Sequence, residues 1–320
     1  MRIGRKTARF EDEAGTTLDT LSLTNRLAVL SADGNEMGRL FSSLSTVESQ
    51  AIVSTVVSWI FEHGRASATK KCGMDTRTYV APVAGGDDIR IFFGPEYLLD
   101  LVPALVEEIE NAASMAAQQL GALDPETARR VGRIGVGMGL VVGPSNFPAS
   151  RLLENAHNLE RSAKRICGDK GARSAVDIAL LSSGTEAQDL DDDARPSRLR
   201  LTGGGNSPEW AETTRRAVRL MAVPSSQRAA LRDAMQSLSP VDVSDTSGTA
   251  RMSRPEVQNL FRYQVARNKK WQEYIGPEWR TPDIDRRIPT TFELDLAHLM
   301  SAVEQAATKR VRHQRAEGRA

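Results

Sequence analysis

The sequence predicts an α+β chain in two parts: a mixed sheet with covering helices over residues 23–190, then a smaller all-helical part over residues 207–308. Three observations carry that expectation. The runs Arg26–Ser31, Thr78–Phe93, Arg133–Val142 and Ala175–Leu181 have strand character and are set apart by stretches of helical period. Thr78–Phe93 folds on itself, because Gly85-Gly86-Asp87-Asp88 at its middle is a tight-turn sequence between two apolar runs. Beyond Ser207 only helical periods recur.

Taken in order, residues 1–22 form a polar, aperiodic arm, readable as an ordered segment, a linker or the remnant of an upstream domain. The helix after the first strand carries an apolar stripe at Phe41, Leu44, Val47, Ala51, Ile52, Val56, Trp59 and Ile60, and Gly64 is expected to end it. Arg65–Arg77 reads as a polar connection to the hairpin. Glu96–Leu120 is a second long helix, interrupted at Pro103, and Leu123–Arg130 a loop with a short helical turn. Gly135, Gly137 and Gly139 leave one face of the next strand bare, which either a ligand or a closely packed helix would require. Ala149–Cys167 is a helix, apolar at Leu152, Leu153, Ala156, Leu159 and Ala163, and Ala175–Leu181 one more strand. The order β-α-β-β-α-β-α-β is that of a ferredoxin-like palm with extra elements.

The acidic, proline-bearing Gln188–Ser197 reads as a solvated linker, and residues 191–206 divide the two parts. Ser207-Pro208 supplies a cap and first turn for the helical part. Pro224-Ser225 opens another helix, Ser239–Gly248 is loop-like, Ser253–Ile275 is a longer helix and Thr291–Thr308 the last. Residues 309–320 are expected to be a basic, disordered tail. Along Ser253–Ile275 aromatics alternate with Arg262, Arg267, Lys269 and Lys270, as in nucleic-acid contact but also in an amphipathic helix packing its aromatics inward.

Two acidic motifs carry the chemistry. Glycine tolerates positive φ, so Gly85 and Gly86 can make the hairpin turn and place Asp87 and Asp88 at its exposed tip. Adjacent carboxylates repel unless a cation sits beside them, and hard oxygen ligands suit Mg²⁺ or Mn²⁺. An ordinary polar turn is the plain alternative. The second motif is Leu27–Gly38, LAVLSADGNEMG, a strand ending at Asp33 and a glycine-bearing turn leading into a helix. Free backbone N–H groups at a helix start attract phosphate. Asp33 with the hairpin aspartates would form a metal site, and the turn a triphosphate cradle. Lys164, at the basic end of its helix, either offsets the helix dipole or reaches that triphosphate.

Composition narrows the alternatives. With Lys+Arg 42 against Asp+Glu 41, the charge argues against an extended nucleic-acid surface but leaves a local basic pocket open. Cys72 and Cys167 lack zinc-type spacing, and His63, His157, His298 and His313 show no ligand or triad pattern. No apolar run approaches a membrane span and no leader pattern is present, so a cytoplasmic protein is expected.

DGNxMG (Asp33–Gly38) with GGDD (Gly85–Asp88) resembles the second palm domain of the polymerase-like large subunit of type III CRISPR effector complexes, and its stand-alone relatives, the minimal CRISPR polymerases. The likeness extends to the glycine-rich strand, to E-x-x-A-K at Glu160–Lys164, and to the helical stretches PSSQRAALRDAM and YQVARNKKW, covering Asn25 to Ile275. Members with both motifs intact convert ATP into cyclic oligonucleotides that switch on antiviral effector proteins. The resemblance implies catalytic, metal-binding carboxylates at Asp33, Asp87 and Asp88, with Gly34 beside them. It implies a phosphate-binding turn at Gly34, Asn35, Glu36, Met37 and Gly38, the hairpin glycines Gly85 and Gly86, and a phosphate contact at Lys164. With it come a two-metal Mg²⁺ or Mn²⁺ site, ATP as substrate, and a homodimer or second palm to supply the acceptor nucleotide. The HD-type His-Asp pair and CxxC module of the full subunit are not seen, which favours a stand-alone synthase or an excised fragment. A GGDEF-like diguanylate cyclase using GTP and a non-catalytic nucleotide-binding palm or scaffold subunit are the rival readings.

Overall fold

The computed structural model describes residues 18–121, 124–170, 172–181, 198–202, 208–237, 255–277, 281, 284 and 287–317. Its centre is β1 (Arg26–Gly34), a strand apolar on both sides and therefore able to sit between two layers. β1 pairs antiparallel with β3 (Asp88–Phe93) on one side and with β4 (Val136–Pro144) on the other. β2 (Tyr79–Gly85) extends the sheet beyond β3. On the far side β5 (Ala175–Leu180) runs parallel to β4, and β6 (Arg198–Thr202) closes the order β2-β3-β1-β4-β5-β6.

Strand alternation sorts β1 into two cores. Ala28, Leu30 and Ala32 pack with α2 (Val47–Lys71) and α3 (Leu98–Leu120). Leu27 and Val29 pack with Leu152, Ala156 and Leu159 of α5 (Ala149–Lys170). The expected strand–helix order is thus present, with β6 added inside the stretch read as a linker. Gln188–Ser197 itself lies outside the described residues, as do Met1–Thr17 and Ser239–Gly248. The end of the N-terminal arm, Leu18–Leu21, is a 3-10 turn that buries Leu21 in the α5-side core.

Several helix boundaries differ from expectation for identifiable reasons. The first long helix is two: α1 (Met37–Ser42) and α2, which restarts at a capping box between Thr46 and Ser49. Its buried face is Val53, Val57, Ile60, Phe61 and Ala68, whereas Val47, Ile52 and Trp59 of the expected stripe face solvent. Gly64 does not end α2. A Cβ there would lie 2.6 Å from Ile109 Cγ1, so the glycine lets α3 approach. α2 stops instead at Gly73, φ +68°, where Gly73 N–H donates to Lys70 O and Met74 N–H to Thr69 O in a Schellman arrangement. α3 continues through Pro103, which sits in its first turns. After α4 (Pro125–Val131) the chain enters β4.

The helical part comprises, among the described residues, α6 (Pro208–Met221), α7 (Ser225–Ser237), α8 (Pro255–Arg267), α9 (Lys269–Ile275) and α10 (Thr291–Glu317). The expected helix Ser253–Ile275 breaks at Asn268, whose side chain caps α9 by accepting from Lys270 N–H at 2.8 Å. Its aromatics mostly turn inward: Trp271 packs edge-on against Phe261 and Tyr274, while Tyr263 stays exposed beneath Arg267. α10 runs on to Glu317, so most of the expected tail is helical. The buried face of this part, including Trp210, Leu220, Phe261 and Phe292, merges with the α2–α3 side of the sheet into one core. Among the described residues no helix is long and apolar enough to cross a membrane.

Candidate active site

The glycines of β4 set the geometry. A Cβ on Gly139 would strike the α5 backbone at Ala156 and Glu160, one on Gly135 the carbonyl of Arg173, and one on Gly137 would lie 2.6 Å from Lys164 Cγ. The bare face therefore admits a closely packed helix, the plainer of the two expectations for these glycines. Its consequence is chemical. With α5 pressed onto β4, its side chains reach over that strand to β1.

Two rungs join α5 to β1. Ser31 Oγ donates to Glu160 Oε2 at 2.5 Å, and Lys164 Nζ pairs with Asp33 Oδ2. Residues four apart on a helix advance about 6 Å, and residues two apart on a strand about 7 Å, so the rungs repeat in step. Glu160 is 1% exposed, and its Oε1 has no partner among the described residues.

The hairpin supplies the second acid. Gly86 has φ +66° while Asp87 does not, the pattern of a two-residue turn with glycine first. Gly85 and Gly86 are exposed, but Asp87 and Asp88 are half-buried rather than at an open tip. Asp87 folds toward β1, its Cβ 3.1 Å from where a Cβ on Gly34 would stand, so Gly34 makes room for it. Burial pushes the Asp87 carboxyl up to about 6, and a hydrogen bond with Asp33 and that group's negative charge add to the effect. Such a pair holds a proton where two bare carboxylates would repel.

Asp33, Gly34 and Asp87 line a cleft of about 780 Å³ that also takes in Arg133, Lys164 and Arg173. Asp88 is not part of that lining. Among the described residues no group of three or more His, Cys, Asp or Glu side chains is disposed to hold a metal. The structure thus brings together Asp33, Asp87 and Lys164 of the expected set. The hard oxygens of Asp33 and Asp87, close enough to share a proton, fit a divalent cation in its place, with Lys164 supplying compensating charge on Asp33.

The turn after Asp33 is more structural than expected. Asn35 N–H donates to Gly135 O at 3.0 Å, and its side-chain amide donates to Arg173 O at 2.9 Å and to Cys167 Sγ at 3.2 Å. Asn35 therefore ties the turn to the ends of β4 and α5. Glu36 adopts φ 61° and pairs with Arg39 on the surface; Met37 covers Gly34; Gly38 faces open space. Burial raises the Cys167 thiol to about 11, so it is no nucleophile at neutral pH. Sequence reasoning passed over Ser31, Arg133 and Arg173. Only Ser31 left a trace, as a lone hydroxyl within the apolar run of β1.

An α+β palm bearing one acid at the end of its central strand and one in the adjacent hairpin turn is the class of protein that fold and site define. Residues 26–173 match the family model described as Cas10/Cmr2, second palm domain, and the resemblance read from DGNxMG and GGDD holds over that stretch. Of solved structures, the crystal structure of Csm1 in T. onnurineus is similar over 90% of this chain and 40% of that chain, at 18% identity and TM-score 0.50. An apo Csm1–Csm4 cassette matches at 16% identity and TM-score 0.48, over 92% of this chain and 39% of that one. A Csm1–Csm4 cassette in complex with cA4 matches at 15% and 0.47, over 87% and 36%. The chain spans about 40% of the length of that T. onnurineus Csm1, and the likeness at this identity is one of fold. No curated protein matches the sequence.

Proposed function

We propose that this protein is a nucleotidyltransferase that joins nucleoside triphosphates, ATP foremost, into a cyclic di- or oligonucleotide that serves as a second messenger in antiviral defence. One observation carries the proposal: the end of β1 and the hairpin bring Asp33 and Asp87 together beside Lys164 in a cleft of nucleotide size. The Cas10/Cmr2 palm match over residues 26–173 supports the same reading.

In the proposed reaction the 3′-hydroxyl of one nucleotide attacks the α-phosphate of the next, and pyrophosphate leaves. Asp33 and Asp87, with the Gly34 carbonyl and with Asp88 once turned toward the cleft, would hold Mg²⁺ or Mn²⁺, which would lower the hydroxyl pKa and neutralise the phosphates. Asp33 and Asp87 would hold that charge, and the proton shared between them would be given up to solvent for their oxygens to ligate it. Lys164, released from Asp33, turns to the β- and γ-phosphates and offsets the charge that grows on the leaving group. The first-turn amides of α1 at Met37 and Gly38 have no intrahelical partner and add donors on the same side. A homodimer or a second palm brings the acceptor nucleotide, in the cytoplasm, and a cyclic-nucleotide-responsive effector receives the product.

Mass spectrometry of products formed from all four triphosphates with Mg²⁺ or Mn²⁺ tests this. A cyclic nucleotide from the native chain, absent with Asp87→Ala plus Asp88→Ala, is the expected outcome; unimpaired synthesis by that double variant would overturn it. A binding-only palm has two observations in its favour. Lys164 already neutralises Asp33, and Asp88 stands apart from the cleft lining. Calorimetric nucleotide binding with unchanged triphosphates would identify that case, and a guanine-only product would identify the cyclase rival.

A further inference from the structure

Four cationic side chains line the cleft among the described residues: Arg39, Arg133, Lys164 and Arg173. Two are committed within the fold, and a third makes an exposed surface pair. Arg39 pairs with Glu36 at 2.8 Å, and Lys164 with Asp33. Arg173 donates to Ile134 O at 2.9 Å and to Glu110 O at 3.1 Å. Arg133 is different. It is exposed, and its guanidinium has no hydrogen bond or ion pair with any described residue. Its neighbours in α4 show the contrast, since Arg129 and Arg130 are both engaged by Glu126.

The backbone that carries Arg133 is held firmly. Arg133 N–H donates to Arg130 O and Ile134 N–H to Val131 O, both at 3.0 Å, while Gly135 O accepts Asn35 N–H. The side chain therefore projects into the cleft from a braced turn, two residues from the carbonyl that anchors the DGN turn. An arginine's planar fork of donors matches phosphate oxygens in a bidentate way, and an unpaired one has no internal bond to break on binding. Lys164 already spends one of its three N–H donors, and its charge, on Asp33, whereas Arg133 has all of its donors to give.

Resting on the proposed function, we infer that Arg133 is a substrate-binding residue of this site, holding the terminal phosphates of a nucleoside triphosphate and the pyrophosphate released from it. The base and ribose are outside its role. Binding through it depends on phosphate count and weakens with salt, as for any solvent-accessible charge pair.

The test is a calorimetric series of AMP, ADP, ATP and inorganic pyrophosphate, each with Mg²⁺, against the native chain, Arg133→Gln, Arg133→Lys and Arg130→Gln. Arg133→Gln is expected to weaken ATP and pyrophosphate binding about tenfold, the scale of one lost charge-assisted contact, and to leave AMP unchanged. Arg133→Lys recovers part of the loss, and Arg130→Gln, outside the cleft, binds as the native chain does. Equal ATP and pyrophosphate affinity in the native chain and Arg133→Gln overturns the assignment of Arg133 alone. A native chain that binds no nucleotide, or binds AMP and ATP alike, overturns the inference together with the function on which it rests.

Discussion

Two clusters of charge, one in each part of the molecule, have been treated oppositely by the fold. In the helical part, Arg216 reaches Glu293 Oε1 at 3.2 Å, the Tyr274 hydroxyl at 3.3 Å and Ile288 O at 3.2 Å. Burial raises Glu293 and pushes the Tyr274 hydroxyl up to about 12, and the guanidinium answers both. That network is closed. In the palm, Asp33 and Asp87 share a hydrogen bond at the edge of a cleft, and Lys164 pairs with Asp33 alone. Charges of the first kind fix α6, α9 and α10 to one another; those of the second line an open cleft, where Arg133 has no partner among the described residues. Buried ion networks are weak evidence of function when every member has a partner, and stronger evidence when one is missing.

The largest effect that would test the contrast is chemical. Asp87→Ala with Asp88→Ala should abolish product formation while leaving the melting temperature unchanged or raised, because it removes repulsion and no packing; a large loss of stability would place these acids with the structural charges instead. Arg216→Met should do the reverse. Stranding Glu293 among apolar neighbours is expected to cost about 3 kcal/mol in denaturant unfolding, with the nucleotide affinity of the folded fraction preserved.

The pH response separates the two clusters next. The folded chain binds a proton at Asp87 more tightly than the unfolded chain does, since that carboxyl rises from 3.8 to about 6. Stability from this group is full below about pH 4 and falls as pH rises toward about 6. Asp87→Asn should flatten that slope in thermal unfolding followed from pH 4 to 7, and an unaltered slope would remove Asp87 as its source. The smallest change is Asn35→Ala. Loss of its bonds to Cys167 and Arg173 should cost about 1 kcal/mol and lower ATP affinity severalfold by loosening the turn. Unchanged affinity would mean that the turn does not touch the nucleotide.

Much of this was legible beforehand. The strands, the hairpin and the helices that follow each proline or cap are local events, and the residues that dictate them are adjacent in the chain. The misjudged features were ones whose cause lies far away in sequence. Gly64 looks like a helix end until Ile109 is seen pressing on it. The apolar residues of α2 supply two plausible stripes, and only the position of α3 decides that Val53 and Val57 are inside while Ile52 and Trp59 are not. Arg198–Thr202 has too short a pattern to announce a strand, and becomes one because β5 offers it an edge.

The site divides along the same line. By itself the sequence determined which groups are available: acids after a strand and at a glycine turn, a glycine-rich strand, a lysine at the end of a helix. Only the tertiary structure decided that Lys164 stands on Asp33, that Asp87 lines the cleft while Asp88 does not, and that Arg133, of the four cations lining that cleft, is the one without a partner among the described residues. The physical reason is reach. Backbone preference acts over a few residues, whereas Lys164 and Asp33 meet across 131 positions, and they do so because glycines in a third segment let a helix lie directly on the sheet.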